Sequence, residues 1–127
     1  MRGRGDEGQA TVELALVLPL VAALLLVVLQ VGLVLRDHLL VAHAAREAAR
    51  AAAVADGDPG AAATRAARRS GGLDPDRLVV RTSPAAGGDA VRVVVTYRSA
   101  TDVPLVGALL PDVSMTGDAV MRSEVPG

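Results

Sequence analysis

A chain of 127 residues with 13 basic and 14 acidic side chains is one modest domain or less, and its formal charge of −1 leaves no basic footprint for nucleic acid. Cysteine is absent, which excludes thiol catalysis, disulfides and Cys-ligated zinc. Tyr97 is the lone aromatic, so neither a base-stacking platform nor an aromatic belt at a membrane interface can be built.

The first element is an apolar run. Residues 14–35 carry no charge and are interrupted only by Pro19, Gln30 and Gly32. As a helix they span about 33 Å at about 1.5 Å per residue, enough for a hydrocarbon core of about 30 Å, and we read them as one transmembrane helix. Pro19 falls in the second turn of that run and predicts a kink there. A cleaved secretory signal is the rival, because Ala42-His43-Ala44 offers an A-x-A-like site, but secretory apolar regions run only about 7 to 15 residues. Arg2 and Arg4 precede the span while Arg36, Arg46 and Arg50 follow it, so flanking charge does not set its orientation.

Glu13 stands at the mouth of this run. Taken alone it reads as an acid in a helix first turn, where the macrodipole favours it and the membrane interface is within reach. Beyond the span, RDHLLVAHAAREAARAAAVADG continues the helical pattern to residue 55. Arg36, His43, Glu47 and Arg50 fall within about 60° on a helical wheel, opposite Val41, Ala45, Ala48, Ala49 and Ala52, a small-residue face that lets another backbone approach closely.

Asp56-Gly57-Asp58-Pro59-Gly60 breaks the helix, and residues 61–70 predict a second, short helix ended by Gly71-Gly72. The period then changes to two. Val91, Val93, Val95 and Tyr97 alternate with Arg92, Val94, Thr96 and Arg98 in a strand over residues 90–98, with residues 77–82 as its partner through a loop at residues 83–89. Residues 113–124 predict a third strand, weakened at Gly117, after a Pro-bounded loop at residues 99–112 that holds Leu105, Val106, Leu109 and Leu110. The fold class is therefore α+β: a transmembrane helix continuing into an amphipathic one, a short helix, and a small antiparallel sheet of about three strands. A head of residues 56–127 buries a marginal core by itself and is expected to lean on the upper part of the first helix, on a partner, or on both.

Catalysis has little material. His38 and His43 are five apart and do not share a helix face, while His43 and Glu47 do but lack a third ligand. No serine has a G-x-S-x-G context, and the glycines form neither a phosphate loop nor a dinucleotide fingerprint. We expect no enzyme activity, metal, cofactor or small-molecule substrate.

Gly8-Gln9-Ala10-Thr11-Val12-Glu13, after a short polar leader and before the apolar run, resembles the prepilin peptidase signal, in which cleavage follows a Gly and a Glu stands fifth in the mature chain. His43-Ala44-Ala45-Arg46-Glu47-Ala48-Ala49-Arg50 resembles the Ala-Arg-Glu/Arg segment that follows the membrane helix in TadE-like proteins. VRVVVTYRSATDVPLVGALLPDVSMTGDAVMRSEVP resembles that family's ending, a Val strand closing on Tyr, a Pro/Leu/Gly loop and a strand ending in Met-Arg-x-Glu. The resemblance implies a minor pilin or pseudopilin of the tight adherence (Tad) pilus machinery, held in the cytoplasmic membrane with its head outside. It implies a leader at residues 1–8, a helical part at 9–55 and an exported head at 56–127. Gly8 and Gln9 would flank the scissile bond, and Glu13 would be the acid that registers subunits by pairing with a mature N-terminal amine. The implied partners are membrane lipid, a prepilin peptidase, and other pilin-like subunits with the Tad machinery. The alternative is a bitopic membrane protein with an exported binding or sensor domain that is never processed.

Overall fold

The computed structural model describes residues 4–99, 108–109 and 111–123. Its dominant element is helix α1, Arg4–Ala53, about 75 Å long at about 1.5 Å per residue. Leu and Ala supply the propensity, Asp6 and Glu7 occupy the first turn, and Arg50 lies in the last, the arrangement that the macrodipole favours at both ends. The helix starts ten residues before the apolar run. Pro19 is therefore an interior residue of α1 rather than a second-turn one, and the Ala15 carbonyl loses its helical donor. The helix nonetheless runs on through Pro19 without a break. Glu13 is likewise no first-turn residue of the chain as it stands.

Two Asp-Pro pairs start the next two elements. Before Pro59, Asp58 is extended (φ −76°, ψ 109°) and its carboxylate accepts from the Gly60 N–H at 2.8 Å, capping helix α2, Pro59–Arg69. This device starts α2 two residues earlier than its Ala run predicts. Ser70 closes it, its Oγ donating to the Ala67 carbonyl at 2.7 Å, and Gly71 and Gly72 follow at φ 78°. Asp74 caps a single 3-10 turn, Pro75–Arg77, in the same way. That turn takes Arg77 out of the first strand.

Strands β1 (Leu78–Pro84), β2 (Ala90–Ser99) and β3 (Val113–Arg122) form an antiparallel meander in the order β1-β2-β3. Val95 lies between Val80 and Gly117, and Tyr97 between Leu78 and Met115. The alternation expected of β2 is real: Val93, Val95 and Tyr97 are buried while Arg92 and Arg98 are exposed. Of the loop at residues 99–112, Ser99 closes β2, and Leu105, Val106 and Leu110 lie outside the described residues, as does Glu124 at the end of the third strand.

The inner face of the sheet packs on the upper part of α1. The core joins Val41, Ala44, Ala45, Ala48, Ala49 and Ala52 of α1 to Ala63 and Ala67 of α2 and to Leu78, Val93, Val95, Tyr97 and Met115 of the sheet. His43, Arg46, Glu47 and Arg50 are on the solvent side, so the small-residue face has its partner within the chain. Alanine there does what a larger residue could not. It brings backbones together, and the closest approach is at Gly117, where an added Cβ would stand 3.1 Å from the Val41 carbonyl oxygen and 3.3 Å from the Ala42 Cα. The glycine that weakens β3 as a strand is what seats it on the helix.

Candidate functional site

The lower part of α1 has no protein around it. Residues 12–29 are exposed apart from the half-buried Leu26, and Val12, Leu16, Leu20 and Leu24 each stand more than half exposed. The most apolar stretch has a mean hydropathy of 2.9, and none of it is buried. A core helix of a water-soluble domain would be largely covered, and an uncovered patch of this size marks a contact with lipid or with other chains. The helix is long and apolar enough to anchor the chain in a membrane in a single pass.

The head begins before the apolar run ends. Gln30 is 5% exposed and Val34 half-buried, on the α1 stripe that continues through Val41 and Ala45. The apolar length below that stripe, residues 12–29 with Leu26 half-buried, is about 27 Å at about 1.5 Å per residue, close to a hydrocarbon core of about 30 Å.

The junction is tied by polar contacts that the sequence patterns did not indicate. Ser99, 4% exposed at the end of β2, donates its hydroxyl to Asp37 Oδ2 at 2.7 Å, and Arg36 lies 3.6 Å from the other carboxylate oxygen. The signal available was Asp37 itself, the first acid after the apolar run. The Asp74 N–H donates to the Tyr97 hydroxyl at 3.3 Å, so the one aromatic side chain is buried with its polar tip engaged.

The residues singled out at the N-terminal end lie on one continuous helix. Gly8, Gln9 and Glu13 are all within α1 and all exposed. Gln9 and Glu13 are four apart and share a helix face, and Glu13 leans back toward Gln9 because helical side chains tilt toward the N-terminus. Among the described residues Glu13 has no ion-pair or hydrogen-bond partner. A Cβ at Gly8 would meet nothing within 4 Å, and its φ is not in the left-handed region. The fold does not require glycine there, and in a helix glycine costs about 1 kcal/mol relative to alanine.

His38 and His43 are exposed on α1. Among the described residues no three His, Asp or Glu side chains are grouped to hold a metal. A hollow between the start of α2 and the β1–β2 hairpin is lined by Asp58, Gly60, Thr82, Ser83, Gly88 and Ser123. Its one carboxylate is already used as the cap of α2.

Compared with known families, residues 8–50 match the model described as TadE-like protein. The matched stretch begins at Gly8 and ends at Arg50, so it takes in the exposed glycine, Glu13, the exposed apolar run and most of the alanine face of α1. About the N-terminal third of the chain is thus TadE-like. No curated protein and no solved structure matches the chain.

Proposed function

We propose that this TadE-like chain is a membrane-anchored minor pilin or pseudopilin of a Tad pilus system, with a structural rather than a catalytic role. Its leader, residues 1–8, is removed by a prepilin peptidase between Gly8 and Gln9. Residues 9–55 then form the membrane and packing helix, and residues 56–127 form a head outside the cytoplasmic membrane. The observation that carries this reading is Glu13, an exposed acid without a partner among the described residues at the head of an exposed apolar run, five residues past a glycine for which the fold has no use.

The physical logic follows from where the helix begins. In the uncut chain Glu13 is the tenth residue of α1. After cleavage it becomes the fifth, one turn above a new amine on the same face. An acid and an amine are each costly in lipid, and pairing across subunits offsets both costs. Isolated Glu13 is tolerated at the interface, while inside an assembly it selects neighbours that present an amine at its depth. The peptidase must accept a very small residue before the bond. A bulky replacement such as Gly8→Leu is expected to stop processing without disturbing the head, read as retention of the full-length mass.

Glu13→Ala is expected to leave cleavage largely intact and to block incorporation into the assembly, measured by co-purification with other pilin-like subunits. Normal incorporation of that variant would remove the pairing from the account.

A further inference from the structure

Among the described residues the sheet ends in two strands paired on one side only, β1 and β3, and the features of these edges match each other. The Ser123 N–H donates to the Asp89 carbonyl at 2.8 Å and continues the register Ala90↔Arg122. In an antiparallel ladder the bonded positions alternate. The odd residues of β3 therefore turn their backbone groups to β2, and Ser114, Thr116, Asp118, Val120 and Arg122 turn theirs outward. The Ala85 N–H, bonded to the Ala90 carbonyl at 2.7 Å, sets the opposite edge in the same way, so the backbones of Leu78, Val80 and Thr82 face out from β1. β3 contains no Lys or Pro to blunt its edge, and Val120 on it is 50% exposed.

Direction and charge select how such edges meet. β1 and β3 both run antiparallel to β2 and so parallel to each other. Antiparallel pairing of β3 with its own copy would place a two-fold axis normal to the sheet and reverse the α1 that lies on it, which two copies inserted alike in one membrane cannot do. Joining β3 of one copy to β1 of the next keeps every α1 in the same sense. Arg81, Val94 and Asp118 form one row across the open face of the sheet, with exposed Arg81 at one edge and exposed Asp118 at the other. A bonded residue in a parallel ladder sits opposite a residue whose two neighbours supply the bonds. That phase sets Asp118 between the outward groups of Val80 and Thr82, which is opposite Arg81.

We propose that copies of this chain associate head to head in a lateral array, β3 of one continuing in parallel into β1 of the next, with Asp118 beside the neighbouring copy's Arg81. Hydrogen-bond phase, side-chain face and charge agree in this register. Asp118 then lies between two arginines, the neighbour's Arg81 and its own Arg92 at 3.5 Å. α2 lies under β1 on the core side, its Ala63 and Ala67 buried with Leu78, and leaves the open face of β1 uncovered. The inference rests on α1 spanning a membrane in one orientation, and not on cleavage at Gly8.

The chain has no cysteine, so the contact can be read by crosslinking the full chain in vesicles of phosphatidylcholine and phosphatidylglycerol. With copper phenanthroline as oxidant, the double variant R81C/D118C is expected to give a ladder of disulfide-linked dimers, trimers and higher species. R81C and D118C reconstituted together should give dimer alone. Thr116→Pro deletes an outward N–H but no bond to β2, and in the double variant it should abolish the ladder while circular dichroism stays that of the parent. Absence of a ladder from folded protein, a ladder indifferent to Thr116→Pro, or dimer from D118C alone as strong as from the mixture would each overturn the proposal. Because the reconstituted chain meets no peptidase, failure here leaves the processing at Gly8 standing, and failure of processing leaves this contact standing.

Discussion

Gly117→Ala is the substitution whose outcome follows most directly from the geometry. Removing a glycine from a strand ordinarily stabilises it by about 0.5–1 kcal/mol, because the unfolded chain has less freedom to lose. Here the new methyl would stand 3.1 Å from the Val41 carbonyl oxygen, 3.2 Å from its Cγ1 and 3.3 Å from the Ala42 Cα. Two of those three atoms are helix backbone and cannot rotate away, so β3 must step back by a few tenths of an ångström along a seam that also holds Met115 and Ala119. Overpacking of this kind costs about 1–3 kcal/mol. The net expectation is a loss of about 1 kcal/mol, which lowers Tm by about 4–8 °C for a folding unit of about 60–100 residues. Gly117→Val should lose more. The assay is thermal unfolding of the detergent-solubilised chain followed in the strand region of the circular dichroism spectrum and in the near-ultraviolet signal of Tyr97. An unchanged or raised Tm for Gly117→Ala would mean that β3 does not approach α1 as described, and the shared core would have to be redrawn.

Two other contacts make independent predictions. Ser99→Ala leaves Asp37, whose side chain is 15% exposed, without its hydroxyl donor, and is expected to destabilise the head by about 1–3 kcal/mol, seen as faster limited proteolysis near the membrane junction. Tyr97→Phe keeps the packed ring and loses the contact with the Asp74 N–H, for an expected cost of about 0.5–1.5 kcal/mol in chemical denaturation. Tyr97→Ala should cost about 3–5 kcal/mol by the same measurement, since it empties the largest side chain of the core.

What could be read from the sequence was what periodicity encodes. The Val91/Val93/Val95/Tyr97 alternation named the buried face of β2 residue by residue, and the wheel over residues 36–52 separated Arg36, His43, Glu47 and Arg50 from the alanines that the head covers. Local start signals were less visible. Asp58-Pro59 was legible as a breaker, yet the same pair is the cap and first residue of α2, and Asp74-Pro75 repeats the device just ahead of the first strand, drawing Arg77, its expected first residue, into a 3-10 turn. The upstream reach of α1 was hidden because Gly5 and Gly8 interrupt it and no apolar stripe runs through residues 4–11; Asp6 and Glu7, however, suit a helix start. Contacts between distant segments carry no local pattern at all. Gly117 against Val41 and Ser99 against Asp37 emerge only once the sheet is laid on the helix.

The candidate site divides the same way. Glu13 stood out because a charge at the edge of a long apolar run is costly and conspicuous. Gly8 carried no signal of its own in composition or periodicity and was named by the resemblance of its neighbourhood; the structure places it at an open helical position. The match over residues 8–50 starts at that glycine and includes Glu13.

The measurement that tests the central claim most directly is the N-terminal residue and intact mass of the protein recovered from its own membranes. The account predicts a chain that starts at Gln9, free, methylated or cyclised to pyroglutamate, and that lacks the eight residues before it. A chain that still begins at Met1 would contradict it and leave a plain membrane anchor with an exported head. A start at Ala45 would contradict it more deeply, since that bond lies within α1 and cutting it would remove the apolar run together with Val41 and Ala44 of the shared core.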